Sequence, residues 1–298
     1  CYTDDLYFGE KSFEKAEAKL LSDNIRNILD KNKLKEEDID LIVSGDLQNQ
    51  ISASNYAIRN FNIPFLGVYN ACATSSESII VASSFIEGKK IKNAIASVCS
   101  HNTSAEKQFR NPNEYGAPKH KTATFTATGS ASLLLTNEKT DIKIESATIG
   151  RIIDLGQIDV NNMGAVMAGA AADTIYKHLT ELKRKPDYYD LILTGDLGIY
   201  GRNILVKYLD EKYNIKLGKN YNDCGVMLYN LDTQPVLAGG SGPVCSALVN
   251  YGYVLKQMKS HKLKRVLIVP TGAIFSPTWT FQKESIPSIA HAVSLEVL

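Results

Sequence analysis

The chain reads DLIVSGDL at Asp40–Leu47 and repeats this stretch almost unchanged as DLILTGDL at Asp190–Leu197. Each copy is a short apolar run that ends in Gly-Asp-Leu. Short, continuous apolar runs are typical of strands that helices cover on both faces. We therefore expect Leu41–Val43 and Leu191–Leu193 to be equivalent buried strands in two similar halves of the chain.

A second pair of similar segments follows the repeat. Small residues at Ala71–Ser78 precede a helical stretch and the strand-like run Ile91–Cys99. In the second half, Gly239–Gly242 precedes a helical stretch and the strand-like run Leu263–Pro270. Convergence of two βα units is the alternative, but the order and length agree through most of both halves. This agreement favours duplication.

The second half is longer between the repeat and this second match. The additional residues lie between Tyr213 and Pro235, in a segment rich in turn-forming residues and alternating apolar positions. Such a composition predicts an inserted hairpin or loop.

Helical periodicity completes each half. Phe13–Leu29 places apolar residues on one helical stripe, and a stretch near Met163–Leu182 is its partner. The Ala-Gly run Gly164–Ala172 is interpreted as a tightly packed helix start rather than a hinge. Helices that alternate with strands favour parallel crossovers. The sequence thus predicts an α/β fold of α/β/α/β/α layers, in which two duplicated halves, residues 1–140 and 141–298, are related by a pseudo-twofold axis.

The two halves differ at their beginnings. The second half opens with a strand-like run, Ile142–Gly150, whereas the first half has no residues at the equivalent place. The chain also begins with Cys1 rather than Met. We expect the sequence to be a fragment that lacks a first strand and its leader.

Bulk composition excludes several classes of protein. The 298 residues carry a formal net charge of +1, which argues against nucleic acid as a partner. Apolar residues make up 44% and charged residues 22%, as is ordinary for a soluble globular protein. No apolar stretch approaches the ~20 residues that span a bilayer, so no transmembrane segment is predicted. The five cysteines are widely spaced and match neither a metal motif nor a disulfide framework.

Cys72 is the residue best placed for chemistry. It follows the apolar strand Phe65–Tyr69 and directly precedes a helix. A helix N-terminus favours a thiolate, and its free N–H groups can hold an oxyanion. The alternative is a buried structural cysteine beside a tight turn, and the spacing alone leaves both interpretations open.

The residues around Cys72 resemble the thiolase superfamily, which includes thiolases and ketoacyl synthases. The resemblance rests on Ala71–Ser76, which opens the central helix of the first half, and on the duplicated halves. It implies a thiolase-like fold and a cysteine that forms an acyl thioester with the help of His and Asn partners. Where the superfamily keeps these partners, the chain has Thr194–Ile199 and Ala238–Val244, which contain neither residue type. We therefore expect the fold without its condensing chemistry.

Motifs in both halves carry a narrower similarity. They are Ser100–Asn102, Ala105–Arg110, Pro112, Glu114–Gly116, Ser146–Arg151, Asn162–Ala165, Leu237–Gly242, Gln282–Pro287 and Ile289–Ser294. In these motifs the chain resembles the stage V sporulation protein AD family. This resemblance implies a non-catalytic component of the SpoVA apparatus, which moves dipicolinic acid with calcium into the forespore and out again at germination. It also implies a peripheral position at the forespore or spore inner membrane, with the other SpoVA membrane subunits as partners.

In this interpretation the former substrate pocket binds pyridine-2,6-dicarboxylate. A small planar dianion needs hydrogen-bond donors, an amide-rich helix start and an apolar slot. Lys107, Arg110 or calcium that arrives with the ligand would neutralise its charge, although Arg110 is equally suited to a structural ion pair. The predicted ligand-binding residues are Cys72, Thr74, Ser75, His101, Asn102, Ser241, His291 and Ser294.

Several further assignments stay open at this point. Asp46 and Asp196 end the equivalent strands and could hold calcium, or they could cap the helices that follow, which is the more common role. No resident cofactor is predicted. Two other functions are a Cys72-dependent acyltransferase or condensing enzyme, and a scaffold whose pocket is vestigial. By analogy with the superfamily, a homodimer is expected through an edge strand at Ile91–Cys99.

The five histidines differ in their expected positions. Only His101 and His291 fall where the pocket of the superfamily would be. His178 and His261 are expected in surface helices or turns. His120 lies in a lysine-flanked loop.

Overall fold

The structure is a computed structural model, and it describes residues 3–109 and 118–298. Its helices occur in both halves and vary widely in length. In chain order they are α1 Phe13–Asn32, α2 Ser52–Ile58, α3 Thr74–Glu87, α4 Asn102–Phe109, α5 Met163–Glu181, α6 Gly198–Tyr213, α7 Cys224–Met227, α8 Pro243–Ala247, α9 Leu255–Lys259 and α10 Pro277–Phe281. Between α8 and α9 the chain continues through a π-helical segment, Leu248–Val254.

The strands are short, and each belongs to one of two main sheets or to a two-stranded ladder. In chain order they are β1 Leu41–Gly45, β2 Phe65–Gly67, β3 Asn93–Ser100, β4 Phe125–Thr126, β5 Gly129–Thr136, β6 Ile142–Thr148, β7 Leu191–Thr194, β8 Tyr221–Asp223, β9 Gly240–Ser241, β10 Arg265–Val269, β11 Thr271–Ala273, β12 Ser288–Ala290 and β13 Ala292–Val297.

The two main sheets share the topology of four strands, and the second sheet has β6 in addition. The first has the order β2-β1-β3-β5, in which β1 is parallel to β2 and β3, and β5 is antiparallel to β3. The second has the order β6-β13-β10-β7-β8, in which β7 is parallel to β8 and β10, and β13 is antiparallel to β10. The repeated sequence therefore forms the equivalent strands β1 and β7, as predicted.

Layers of helices alternate with the sheets. One buried cluster joins both sheets to the helices between them, α3 and α8. Two further clusters cover the outer faces, with α1 and α2 on the first sheet and α5 and α6 on the second. Ile42 and Ile192 face these outer helices, whereas Val43 and Leu193 face the inner ones, and all four are fully buried. The strands are continuously apolar because both of their faces are covered.

Small residues bring α5 and α6 into close contact. A Cβ atom added to Gly164 would lie 2.2 Å from the carbonyl oxygen of Leu197, and one added to Gly201 would lie 2.6 Å from the Cα of Gly164. The run Gly164–Ala172 is therefore the tightly packed helix start that was predicted, and α5 as a whole is mostly buried.

Two expectations about individual strands were wrong. The strand predicted at Ile91–Cys99 is not an edge, because β3 is hydrogen-bonded to β1 on one side and to β5 on the other. The segment between Tyr213 and Pro235 is neither a hairpin nor a simple loop, because it supplies β8, parallel to β7, and then α7.

The sheet edges are also defined by this pairing. In the second sheet, β6 pairs with β13. Among the residues that the structure describes, no strand pairs with the outer side of β5 in the first sheet. None of the helices in residues 3–109 and 118–298 combines the length and the apolar character that crossing a membrane requires.

Candidate functional site

The turn that carries Cys72 links β2 to α3. After β2 the chain makes one 3-10 turn at Ala71–Ala73, and α3 begins directly afterwards. Ala71 has a left-handed conformation with φ +50°, which alanine rarely adopts. Gly272 of β11 packs under the turn, where an added Cβ would lie 2.2 Å from the carbonyl oxygen of Asn70. Close backbone packing therefore fixes Cys72 at the start of α3.

Asp196 is the nearest charged neighbour of the Cys72 thiol. Its side chain is fully buried just after β7 and accepts hydrogen bonds from Gly242 N and Ser241 Oγ, both at 3.2 Å, and from Thr271 Oγ1 at 2.7 Å. The Cys72 thiol is a further hydrogen-bond partner. Burial raises the pKa of Asp196 to about 6, so its carboxyl group is largely ionised at neutral pH.

Asp196 does not cap the helix that follows it. The N–H groups of Leu197 and Gly198, at the start of α6, donate to Asp223 instead, each at 3.0 Å. Asp46 differs from its counterpart, because it accepts from Gln48 N and from Ser54 N in the first turn of α2. The two equivalent aspartates thus differ in role, since Asp46 binds the first turn of α2 and Asp196 contacts Cys72.

The protonation of Cys72 follows from this contact. Burial raises the pKa of the Cys72 thiol, and the Asp196 carboxylate raises it further, whereas hydrogen bonds from Gly242 N and Ser241 oppose the shift only in part. The result lies well above the ordinary thiol pKa. Burial first, and the Asp196 carboxylate second, therefore oppose the thiolate that a helix N-terminus favours.

Cys72 and Ser241 together line a small inner pocket of about 50 Å³. Most of the remaining lining is apolar and includes Ala105, Met163 and Met167. An isolated anion in such surroundings would lose its hydration without gaining a cation. The inner pocket therefore suits an uncharged or apolar group.

A much larger groove of about 980 Å³ lies outside the inner pocket. Leu47, Tyr69, Phe109 and Phe275 line both spaces. The rings of Phe109 and Phe275 are tilted at 57° with centroids 5.9 Å apart. These four side chains, called the aromatic partition here, separate the open groove from Cys72.

The groove walls are rich in neutral polar groups. One wall is the loop Leu47–Ile51 with Gln108, and the other contains Ser276–Thr280 and Glu284–Pro287. Asp154 completes the lining near Ser285, whose hydroxyl donates to it at 2.6 Å. Within the described residues, no lysine or arginine side chain lines the groove, although two carboxylates do.

The predicted residues of α3 other than Cys72 point into the protein. The Thr74 hydroxyl donates to the carbonyl oxygen of Ala71 at 2.7 Å. The Ser75 hydroxyl meets that of Ser246 at 2.7 Å, between α3 and α8. Both side chains are buried, and neither lines the inner pocket or the groove.

His101 and Asn102 lie at the start of α4, away from both spaces. The Nε2 atom of His101 is 2.9 Å from the carbonyl oxygen of Leu6, and its ring packs on Phe13 at 5.1 Å. Burial lowers the pKa of His101. The main-chain N–H of Asn102 donates to Thr128 Oγ1 at 2.9 Å. The structure does not bring these residues to Cys72.

His291 and Ser294 also occupy structural positions. Gly150 N donates to His291 Nδ1 at 3.1 Å, and the other ring nitrogen lies 3.3 Å from the Asn70 amide. Burial lowers the pKa of His291 to about 4, so the ring is uncharged at neutral pH. Ser294 of β13 bonds to Glu145 and lies far from the groove lining.

His178 was expected on the surface and is instead completely buried. Its ring nitrogens lie 2.8 Å from Thr148 Oγ1 and 2.7 Å from the Tyr189 hydroxyl. Burial lowers the pKa of His178 to about 4. The helical pattern of α5 could not predict the burial of His178. A polar side chain can be buried when it is hydrogen-bonded, and the sequence does not show its two hydroxyl partners.

Lys107 and Arg110 were expected to neutralise the charge of a ligand, and Lys107 is not among the residues that line the groove. Lys107 forms an exposed ion pair with Glu14 at 3.1 Å. Arg110 lies outside the described residues. His120 and His261 are exposed, in agreement with the sequence.

Sequence reasoning missed most of the groove. The loop Leu47–Ile51, Gln108 and the segment Ile274–Pro287 line it with amides, hydroxyls and aromatic rings. Such residue types carry no catalytic signature. The only available signal was Gln48–Gln50, three amides in a row directly after the first copy of the repeat.

Two sequence comparisons match nearly the whole chain. The model of the family described as stage V sporulation protein AD (SpoVAD) matches residues 1–296. Stage V sporulation protein AD of Bacillus subtilis (strain 168) is 47% identical over 293 residues, which cover 98% of this chain and 86% of that protein.

Solved structures with the same fold are much more distant in sequence. A single-residue variant of OleA of Xanthomonas campestris has a TM-score of 0.63 at 13% identity, with 94% of this chain and 81% of that chain covered. 3-Oxoacyl-(acyl-carrier-protein) synthase III of Aquifex aeolicus VF5 has a TM-score of 0.55 at 15% identity, with 91% and 81% covered. The fold is therefore the thiolase-like, duplicated α/β fold that the sequence predicted.

Proposed function

We propose, because the chain belongs to the stage V sporulation protein AD family, that it is a non-catalytic binding protein for dipicolinic acid or its calcium chelate. It serves transport of this ligand into the forespore during sporulation. The observation that carries the proposal is the groove of about 980 Å³, which the aromatic partition separates from a thiol whose pKa burial raises well above its ordinary value.

The environment of Cys72 disfavours condensing chemistry. A nucleophilic cysteine needs a base or a cation that favours its thiolate. Cys72 faces the Asp196 carboxylate, which favours the neutral thiol instead. The thiol can donate a hydrogen bond at the end of the inner pocket, but it is a poor nucleophile at neutral pH.

The groove offers what a planar dicarboxylate needs. The side-chain amides of Asn49 and Gln50 and the hydroxyls of α10 can donate to carboxylate oxygens, and the aromatic partition provides a flat apolar side. The carboxylates of Asp154 and Glu284 would repel a free dianion. The one-to-one calcium chelate has no net charge, and we therefore favour it over free dipicolinate.

We place the protein peripherally at the forespore or spore inner membrane, with the other SpoVA membrane subunits as partners. Because β3 is an interior strand, a homodimer formed by strand pairing would instead use a strand at the edge of the first sheet, either β5 or β2. Leu66 of β2 is 39% exposed, which leaves this edge accessible.

Titration calorimetry tests the proposed ligand. We expect dipicolinate to bind, and more tightly when calcium is present. Replacing two hydroxyl groups of the groove wall, in the variant Thr278→Val/Thr280→Val, should weaken binding roughly 3–10-fold for each bond lost. Thr233→Val, outside the groove, is the matched control. Absence of binding with and without calcium would contradict the proposal and leave a scaffold function.

One observation favours a second candidate, an acyltransferase that uses Cys72. Cys72 retains the position at the start of α3, next to a pocket with room for an apolar group. Incubation with radiolabelled acyl-CoA distinguishes the two functions. Stable labelling that disappears in Cys72→Ala would support acyl transfer and overturn the non-catalytic assignment.

A further inference from the structure

The loop Leu47–Ser52, called the groove-wall loop here, connects β1 to α2 and forms one side of the groove. Its residues from Leu47 to Ile51 all line that space. Gln50 and Ile51 both have left-handed backbone conformations, with φ of 61° and 49°. Residues other than glycine adopt this conformation reluctantly, so the loop keeps its shape only while other contacts hold it.

Two buried carboxyl groups supply those contacts. Asp46 accepts hydrogen bonds from Gln48 N and from Ser54 N, both at 2.8 Å. Glu17 of α1 accepts from the Gln48 side-chain amide at 2.7 Å. The Gln48 amide oxygen in turn accepts from the Ser52 hydroxyl at 3.0 Å. Asp46 thus holds the main-chain N–H of Gln48, and Glu17 holds its side-chain amide.

The buried carboxyl groups of Glu17 and Asp46 have no cationic partner among the described residues. Glu17 is 1% exposed and Asp46 is completely buried. Of the residues that the structure describes, no lysine, arginine or histidine forms an ion pair with either group.

The elements around Glu17 add no compensating charge. Within α1, the acidic Glu14 is close, and its own partner is Lys107 of α4. The other charged residue of α4, Glu106, pairs with Lys119. From β3, the Cys99 thiol reaches Glu17. The remaining elements that pack on α1, which are α2 and β5, contain no acidic or basic side chain. Two carboxyl groups therefore share a buried site.

Their titration is coupled through this proximity. Burial raises the pKa of Glu17 to about 8, and the Asp46 carboxylate contributes to the shift. Burial also raises the pKa of Asp46. At neutral pH Glu17 keeps its proton, and the site carries at most one negative charge.

We propose that Glu17 and Asp46 form a proton-dependent latch on the groove-wall loop, which is closed while the pair holds a proton and released when that proton leaves. Loss of the proton places two negative charges in a buried site, and the charges reach water if the loop moves outward. The inference rests on the proposed function only for the identity of the ligand in the groove. Movement of the loop can be measured without any ligand.

Hydrogen exchange is the direct test. Exchange of the peptides that cover Leu47–Ser54 is followed from pH 6 to pH 9.5 in the wild-type chain and corrected for the intrinsic exchange rate at each pH. We expect constant protection below pH 8. Above it, protection should fall by up to about tenfold per pH unit, since one proton is lost. Peptides from β3 should keep their protection.

Two variants and one control complete the test. Glu17→Gln keeps the shape and cannot ionise, so protection should stay constant up to pH 9.5. Asp46→Asn keeps an acceptor for the loop and removes the repulsion, which should also abolish the pH dependence. Asp30→Asn, an exposed acidic residue of the same helix, should behave as the wild type does. Equal pH profiles in wild type and Glu17→Gln would overturn the latch.

Binding measured on the same proteins separates this inference from the proposed function. If calcium dipicolinate binds, its affinity should fall at least several-fold between pH 7.5 and pH 9 in the wild type and remain constant in Glu17→Gln. If calcium dipicolinate does not bind at any pH, the proposed ligand is overturned. The hydrogen-exchange result then still tests the latch independently. Binding that is unaffected by pH, together with unaltered exchange, overturns the latch and leaves the ligand assignment intact.

Discussion

The Cys72 thiol and the Asp196 carboxylate are hydrogen-bond partners in a buried site where the two halves of the fold meet. Cys72 begins the central helix of the first half, and Asp196 ends the repeated strand of the second. The pair places a proton acceptor with a negative charge, rather than a neutral base, beside the thiol. Its consequences for reactivity can be measured directly.

Asp196→Asn should make Cys72 more reactive. The substitution removes the charge that raises the thiol pKa and keeps an acceptor of similar shape. At pH 7, alkylation by iodoacetamide should accelerate about tenfold for each unit by which the pKa falls. Ser241→Ala removes a hydrogen bond that lowers the same pKa and should slow the reaction. An unchanged alkylation rate in Asp196→Asn would mean that the carboxylate does not control the thiol.

Phe275→Ala should open the aromatic partition. Phe275 lines both the groove and the inner pocket, so its truncation widens the passage to Cys72. Bulky maleimides should then react faster with Cys72, while small reagents gain little. Phe281→Ala removes a ring of the same size that is 85% exposed and lines neither space, and it should leave the rates as they are. Equal acceleration by both variants would contradict the partition.

Gly164→Ala should destabilise the fold. The new Cβ would lie 2.2 Å from the carbonyl oxygen of Leu197, so α5 and α6 must separate. We expect the free energy of unfolding in urea to fall by roughly 1–3 kcal/mol or more. At Gly252, where an added Cβ meets open space, the same replacement should be neutral or slightly stabilising. Similar effects at both glycines would rule out the predicted clash.

Acid should destabilise the protein through its buried histidines. Burial lowers the pKa of His178 and of His291 to about 4, whereas both titrate near 6.5 when the chain is unfolded. The unfolded state therefore binds protons between these values and the folded state does not. Stability should decline as pH falls from 6.5 to 4, by up to about 1.4 kcal/mol per pH unit for each histidine. His178→Gln should flatten this slope, and the exposed His261→Gln should not.

The repeat allowed the fold to be predicted because covered strands have a strong apolar signature. Ile42 and Val43 face different helical layers, and Ile192 with Leu193 repeats the arrangement. The strand order was harder to predict. Pairing partners depend on contacts between distant segments, so β3 was mistaken for an edge and β8 for part of an insertion.

The site was predictable only where chemistry restricts the residue type. Cys72 and Ser241, two of the residues predicted to bind a ligand, line the same inner pocket. Thr74, Ser75 and His291 lie near Cys72 in sequence or topology, but their side chains satisfy internal hydrogen bonds. Sequence cannot show the direction in which a polar side chain points. For the same reason the sequence did not predict that amides and aromatic rings line the groove.

Trp279 lies on the groove wall and is the single tryptophan of the chain. Its indole is 60% exposed, so it reports the local polarity of that wall and almost nothing else. Fluorescence excited at the indole band therefore comes from one known place in the molecule. Any occupant of the groove, or any displacement of α10, can be followed optically in the unlabelled protein, including on the millisecond timescale of rapid mixing.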